Sequence, residues 1–422
     1  MSTFRFIHCA DLHIDSPLRG LEADPDAPVS RIRNATRDAF VNLVGYAIAN
    51  RVDFVLAAGD LYDGEWQDWR TGQFLIKEVS RLSKAHIPFI AISGNHDAES
   101  VITRQIKLLD PAHQFGADKA GTWPIEHLDV LIHGQSFKTA AVKDDLSKHY
   151  PTRFEGKFNI GLLHTNVDGR PGHEKYAPSD LNALRNRGYQ YWALGHVHTR
   201  AILAEEPYWV VYPGNLQGRH IREIGSRGAY LVTVTDREIN TPPKFVPFDT
   251  VRWELLSVNV SGAPDLDAAL SIARNRLAEA VEDIGDRLLA ARVQFTGATP
   301  AFAALNQRPG DIKERLRIET QFLGGLDNIW IESVVVNVTP PKTEDASLGL
   351  LEAEIESLKA ENLDGIVAKY TKDLLARLPG LRDELSALDP NHPVVAAEKD
   401  GPPPSALFER ARNLLRARLA ED

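Results

Sequence analysis

Along the first 235 residues, short apolar runs rich in β-branched and aromatic side chains alternate with longer stretches of helical period. FRFIHCA (4–10), FVLAAGD (54–60), IPFIAISG (87–94), VLIHG (130–134), FNIGLLH (158–164), YWALGH (191–196), WVVYPG (209–214) and AYLVTVT (229–235) read as strands. Helices are predicted near 34–50, 66–85, 101–109 and 178–187. In the first of these, Phe40, Leu43, Val44, Ala47 and Ile48 share one stripe. Such alternation predicts an α/β layered fold with helices outside.

The pattern changes after TPPKFVPFDT (241–250). Strand, helix, strand, helix, strand follow as RWELLSVNV, about 265–283, LAARVQFTG, about 310–323, and IWIESVVVNVT. Residues 1–249 are therefore expected to form one domain and 250–340 a smaller α+β domain. From 341 to 422 comes a tail with helical stretches near 348–388 and 405–420, interrupted by the Pro-rich linker DPNHPVVAAEKDGPPPS.

A chain of 422 residues suits two or three domains, since single cores stop growing at roughly 250–300 residues. No window approaches the roughly 18 apolar residues of a membrane span, and Arg5, His8 and Asp11 interrupt the place of a secretory segment. A cytoplasmic protein with no membrane association is expected. Cys9 is the only cysteine, which excludes an intrachain disulfide and a thiolate metal cluster, so any metal must be held by nitrogen and oxygen. The net charge is −10, but 11 basic and 16 acidic residues from 341 onward supply half of the deficit. The remainder is less acidic than the total suggests, and local patches govern phosphate binding.

Five strand ends carry residues of metal-ligand type: ADLH (10–13), GDLYD (59–63), GNHD (94–97), LLHTN (162–166) and GHVH (195–198). Loops at the carboxyl ends of strands in an α/β fold gather on one edge. In extended backbone, Asp11 with His13, and His196 with His198, would each point two ligands to one side. Gly59, Gly94 and Gly195 precede ligand candidates where the backbone must turn sharply or pass close to an ion. Asp11, His13, Asp60, Asn95, His164, His196 and His198 are too many for one tetrahedral ion and suit two ions sharing a carboxylate. Paired ions about 3.5–4 Å apart are a standard device for hydrolysing phosphate esters. His96 is the candidate proton donor to the leaving oxygen, with Asp97 placed to orient its ring.

The ordered series D-x-H, GD, GNHD, H and GHxH resembles the calcineurin-like metallophosphoesterases over about residues 4–235. ADLHIDSPLRGL (10–21) and YPGNLQGRHIRE (212–223) are similar to the DNA-repair nuclease branch that includes SbcD-like and, more narrowly, YhaO-like proteins. The resemblance implies a β-sandwich flanked by helices, with 250–340 as a capping domain. It implies one ion on Asp11, His13, Asp60 and His198, and a second on Asp60, Asn95, His164 and His196, with Asp60 bridging and His96 catalytic. It further implies Mn²⁺ as the activating ion, DNA as substrate, and an SMC-like ATPase partner of the SbcC/YhaN type. A stripe of Leu407, Phe408, Ala411, Leu414, Leu415 and Leu419 offers that partner a contact, and a homodimer is compatible with the family. Asp63 departs from the pattern, standing where some such nucleases have a phosphate-positioning histidine.

DNA binding calls for cations near the site, reading phosphates and not sequence. Arg170, Gln217, Arg219, His220 and Arg222 are the candidates, with Arg31, Arg33 and Arg37 better explained as a solvated helix face. The expected activity is Mn-dependent exonuclease or endonuclease cleavage of double-stranded ends in DNA repair. A phosphatase or cyclic-nucleotide phosphodiesterase of the same fold, and a DNA-end-binding scaffold with little catalysis, are the alternatives.

Overall fold

A computed structural model of the chain describes residues 2–17, 24, 27–63, 69–99, 110–169, 178–307, 309–321, 323 and 328–341. The predicted helix at 101–109, Arg170, the C-terminal stripe and its linker lie outside the described residues. Two compact units divide the chain: Met1–Leu18 with Val29–Trp253, and Arg19–Pro28 with Glu254 onward.

The first unit contains two six-stranded sheets. In chain order β1 (Thr3–Cys9), α1 (Val29–Ala49), β2 (Phe54–Ala58), α2 (Arg70–Lys84), β3 (Phe89–Ile92), the short α3 (Asn95–Glu99) and β4 (His113–Gln114) come first. They are followed by β5 (Gly121–Ile125), β6 (Val130–Gly134), β7 (Phe158–His164), α4 (Leu181–Asn186), β8 (Tyr191–Gly195), β9 (Ala201–Ala204) and β10 (Trp209–Tyr212). Strands β11 (Gly228–Thr235) and β12 (Lys244–Pro247) return to the first sheet. The strand orders are β12-β11-β1-β2-β3-β4 and β5-β6-β7-β8-β10-β9.

Strand alternation explains the layering. Phe4 and Phe6 of β1, Phe54 and Leu56 of β2, Ile160 and Leu162 of β7, and Tyr191 of β8 meet in one core between the sheets. The alternate residues Ile7, Cys9 and Val55 face outward against Phe40, Leu43 and Val44 of α1 and Leu75, Val79 and Leu82 of α2. On the other side Leu163, Trp192, Leu194 and Val210 pack with Leu184 of α4. Both faces of each central strand are thus covered, which is why their sequences are almost continuously apolar. Phe6 stacks on Phe54 at 4.9 Å between centroids and meets Tyr191 edge-on at 5.2 Å. Truncating Phe6 to Ala at this junction would cost about 3–5 kcal/mol.

The second unit holds β13 (Val251–Asn259) from Glu254 onward, α5 (Leu266–Ile284), β14 (Leu288–Ala298), α6 (Phe302–Gln307), α7 (Pro309–Thr320) and β15 (Ile329–Thr339). Its sheet is ordered β13-β14-β15, and Leu270, Leu277, Phe295, Leu305 and Ile331 lie in its core. Asp265 caps α5, accepting the Ala268 N–H at 2.9 Å. One feature differs from the expected contiguous domains. Asp24 Oδ2 accepts from Lys313 Nζ at 2.9 Å, Arg317 Nη2 at 2.6 Å and Trp330 Nε1 at 3.2 Å, so the 19–28 segment belongs with this unit. One of three acidic residues in the 19–28 stretch, Asp24 gives no sequence signal of that long-range anchor. Among the described residues no helix is long and apolar enough to cross a membrane.

Candidate metal centre

Sheet register brings the five motifs to one edge of the first unit. Cys9 pairs with Ala57, Ala58 with Ile92, and His164 with Gly195, so each strand ends at the same level. Beyond the strands the first two loops run together: Asp11 N–H donates to Gly59 O and His13 N–H to Asp60 O, both at 3.0 Å.

The donors do not converge by strand alternation. Asp11, His13, Asp60 and His196 have φ of 51°, 42°, 50° and 98°, so the side chains are turned inward by successive left-handed residues and not by an extended i, i+2 pattern. Leu12 between the first two is buried in the core against the outer helices. Backbone strain of this kind persists where surrounding contacts enforce it. Glycine permits the crowding: a Cβ on Gly94 would lie 2.2 Å from Asp60 Oδ1, and one on Gly195 would lie 1.9 Å from Ala58 O.

All seven expected ligands are brought together, and all except His198 are buried. Asp11, His13 and His198 place donor atoms within 4.8 Å of one another, as do Asp60, His164 and His196, and as do His13, Asp60 and His96. Asn95 Oδ1 lies 3.0 Å from His164 Nε2 and 3.3 Å from His196 Nδ1, which joins it to the second set. Asp60 stands between the sets, with Oδ2 3.4 Å from His164 Nε2 and 3.9 Å from His13 Nε2. Its Oδ1 accepts the His96 N–H at 3.0 Å.

Outer partners fix which nitrogen faces inward. His164 Nδ1 donates to Ala58 O at 2.9 Å, which turns its Nε2 toward Asp60 and Asn95. His198 Nδ1 is 2.7 Å from Glu223 Oε1, turning its Nε2 toward His13 Nε2, 3.1 Å away. Burial, helped by the Arg219 charge, pushes His13 down to about 3, so it is neutral, and its Nδ1 lies 3.7 Å from Asp63 Oδ1. Burial alone would raise Asp60, but the charge and hydrogen bond of His164 hold it well below the usual carboxylate range. An inward-facing ring of imidazole nitrogens around a stable carboxylate, with no thiolate, fits two divalent cations with Asp60 shared.

The candidate proton donor sits at the rim. His96 has a side chain 37% exposed, and its Nδ1 is 2.9 Å from Asp63 Oδ1. Asp97 does not take the orienting role expected of it. Its buried carboxylate accepts N–H bonds from Tyr62 at 2.9 Å, Gly94 at 3.0 Å and Leu61 at 3.1 Å, tying the second motif loop to the third. Asp63 was legible as the last residue of GDLYD, three after Asp60, but its partner depends on loop curvature. Glu223 carries no sequence signal of this role, because nothing in QGRHIRE marks one acidic residue as turned inward.

The expected substrate contacts divide similarly. Gln217 is buried and saturated, donating to Gly218 O and Val251 O and accepting from Thr250 N–H and Val251 N–H. Arg219 is nearly buried among carboxylates. His220 has a side chain 44% exposed, and Arg222 is exposed. In the 31–37 group, Arg37 is engaged by Asp15, with Nε donating at 2.6 Å.

The chain belongs to the calcineurin-like metallophosphoesterases, metal-dependent hydrolases of phosphate esters; the calcineurin-like phosphoesterase family matches residues 4–200. The middle domain of the metallophosphoesterase YhaO matches residues 253–339, and the chain is YhaO-like. It is 33% identical to an uncharacterized metallophosphoesterase YhaO of Bacillus subtilis over 65% of this chain and 68% of that protein. It is also similar to two proteins named DNA double-strand break repair protein Mre11. That of Sulfurisphaera tokodaii is 28% identical over 48% of this chain and 51% of its own length, and that of Aeropyrum pernix 30% over 54% and 57%. The chain thus spans about half the length of those two.

Proposed function

We propose that the protein is a Mn²⁺-dependent DNA nuclease that hydrolyses phosphodiester bonds at double-stranded ends in DNA repair. The observation that carries this reading is the pair of donor sets sharing Asp60, with the half-exposed His96 held beside them by Asp63. Asp11, His13, Asp60 and His198 would hold one ion, and Asp60, Asn95, His164 and His196 the other. When bound, the ions supply charge for the phosphoryl oxygens and lower the pKa of bound water. His96 gives its proton to the departing oxygen, and Asp63 keeps the ring oriented. Asp97 ties the loops that carry Asp60 and Asn95. His220 and Arg222 contact backbone phosphates, which serves affinity without reading sequence. The protein works in the cytoplasm with an SMC-like ATPase, a reading supported by the likeness to proteins named for double-strand break repair.

The test is cleavage of linear and hairpin-ended double-stranded DNA in Mn²⁺, beside bis-p-nitrophenyl phosphate, with the wild type and His96→Ala. DNA cleavage that disappears in the variant is expected. Turnover of the small ester with DNA left intact would remove autonomous DNA cleavage and favour a small-substrate phosphodiesterase. DNA binding without hydrolysis of either would favour a scaffold.

A further inference from the structure

Two carboxylates stand directly behind the reacting groups: Asp63 behind His96 and Glu223 behind His198. One guanidinium joins them. Arg219 Nη1 donates to Asp63 Oδ2 at 3.1 Å and to Ser16 Oγ at 3.3 Å, while Nη2 donates to Glu223 Oε1 at 3.2 Å. The Arg219 backbone N–H adds a bond to Glu223 Oε2 at 2.8 Å, and the Arg219 side chain is only 13% exposed.

We propose that Arg219 is a positioning residue that fixes the proton donor His96 relative to the metal ligand His198, through Asp63 and Glu223, and does not contact substrate. The roles of His96 and His198 rest on the reading given above. Physical chemistry favours arginine here. Two largely buried carboxylates repel each other and require a cation between them, and a planar fork sets the spacing of its partners in a way a lysine ammonium cannot. Because both hydrogen-bonding edges are occupied by carboxylates, little donor capacity is left for a phosphate. Each carboxylate also meets a histidine, beside Ser16 Oγ on Asp63 and Asn215 Nδ2 on Glu223, and Arg219 Nη2 itself lies 3.4 Å from His198 Nδ1, so displacement of the fork would be felt at the donor and at the ligand together. A misplacement of about 1 Å at a reacting group can lower a rate about a hundredfold.

The experiment is a pair of double-mutant cycles in the full chain, combining Arg219→Gln and Arg219→Lys with Asp63→Asn and with Glu223→Gln. Each variant is measured for its Mn²⁺ dissociation constant by calorimetry, and for kcat and KM on bis-p-nitrophenyl phosphate at saturating Mn²⁺. Arg219→Gln is expected to weaken Mn²⁺ binding about tenfold or more and to lower kcat by a similar factor, with KM little changed. Arg219→Lys should recover part of each loss. In the Asp63→Asn background Arg219→Gln should lower kcat little further, and in the Glu223→Gln background it should weaken Mn²⁺ binding little further. Additive effects in both cycles, or a rise in KM at unchanged kcat, would overturn the proposal. If Arg219→Gln does not fold, Arg219→Lys carries the same comparisons. If the wild type hydrolyses neither the ester nor DNA, the proposed reaction has failed, while the Mn²⁺-binding cycle still decides whether Arg219 acts through Glu223.

Discussion

The Nε2 atoms of His13 and His198 face each other at 3.1 Å, with Glu223 holding the opposite nitrogen of His198. Two inward-facing imidazole nitrogens this close are stabilised by a shared cation, and a neutral His13 is ready to ligate one. Mn²⁺ should therefore raise the melting temperature, by the equivalent of about 2.7 kcal/mol at a hundred times its dissociation constant. Replacing His13 or His198 by Ala should remove most of that gain. Thermal melts across a Mn²⁺ titration check this, and an unresponsive wild type would sink it.

Asp63 Oδ1, at 2.9 Å from His96 Nδ1, predicts how proton donation depends on the placing of the ring. His96→Ala should lower turnover by roughly 10²–10⁴ while Mn²⁺ binding persists. Asp63→Asn replaces the carboxylate that holds the ring, so turnover should fall by about tenfold or more while KM and Mn²⁺ binding change little. Turnover unchanged in Asp63→Asn would show that the carboxylate does not hold His96.

The strand runs at 54–58, 130–134, 158–164 and 191–195 were legible because those strands are buried on both faces, and the clustering of the seven candidate residues because they stand at or just past strand ends on one edge. What escaped the sequence is short or depends on distant partners. Strand β9 has only four residues, and the two-residue β4 is defined by pairing with β3 alone. The exchange of roles between Asp63 and Asp97 shows the same limit at the site. Both are acidic residues next to a ligand motif, and the folded loops decide that Asp63 meets His96 while Asp97 accepts backbone N–H groups.

Gly94 makes the crowding testable. A Cβ there would stand 2.2 Å from Asp60 Oδ1 and 2.7 Å from His164 Cε1, so Asp60 must move away from its shared position. Gly94→Ala is expected to destabilise the fold by about 1–3 kcal/mol. It should weaken Mn²⁺ binding more than that loss implies, because the displaced group belongs to both donor sets. Calorimetry beside a denaturant melt separates the two effects; unchanged Mn²⁺ affinity would contradict the close approach.

Arg222 is exposed, unlike Arg219. Arg222→Ala should weaken double-stranded DNA binding equally for unrelated sequences and reduce the salt slope by about one. Turnover of the small ester should stay as in the wild type. Fluorescence anisotropy over a salt series measures the slope, and a loss confined to one DNA sequence would argue for base reading.

His133 supplies a prediction about stability remote from the metal edge. Its ring stacks on Tyr189 at 4.7 Å, Nε2 donates to Asn159 Oδ1 at 3.2 Å, and Nδ1 is left to accept from Thr122 Oγ1 at 2.9 Å. Burial pushes its pKa down to about 4, against a smaller upward pull from Asn159. Between pH 6.5 and about 4 the unfolded chain therefore binds more protons than the folded one, so stability falls as pH falls through that window. The loss attributable to this residue is at most about 3 kcal/mol and is complete below pH 4. His8, lowered to about 3 by burial, acts in the same direction, so the decisive quantity is a difference between proteins. His133→Gln keeps an amide in the cavity without a titrating ring, and its stability should depend less steeply on pH than that of the wild type over this window. Denaturant melts at pH 7, 5.5 and 4.5 measure the slope, and parallel curves would mean that His133 already carries its proton in the folded state.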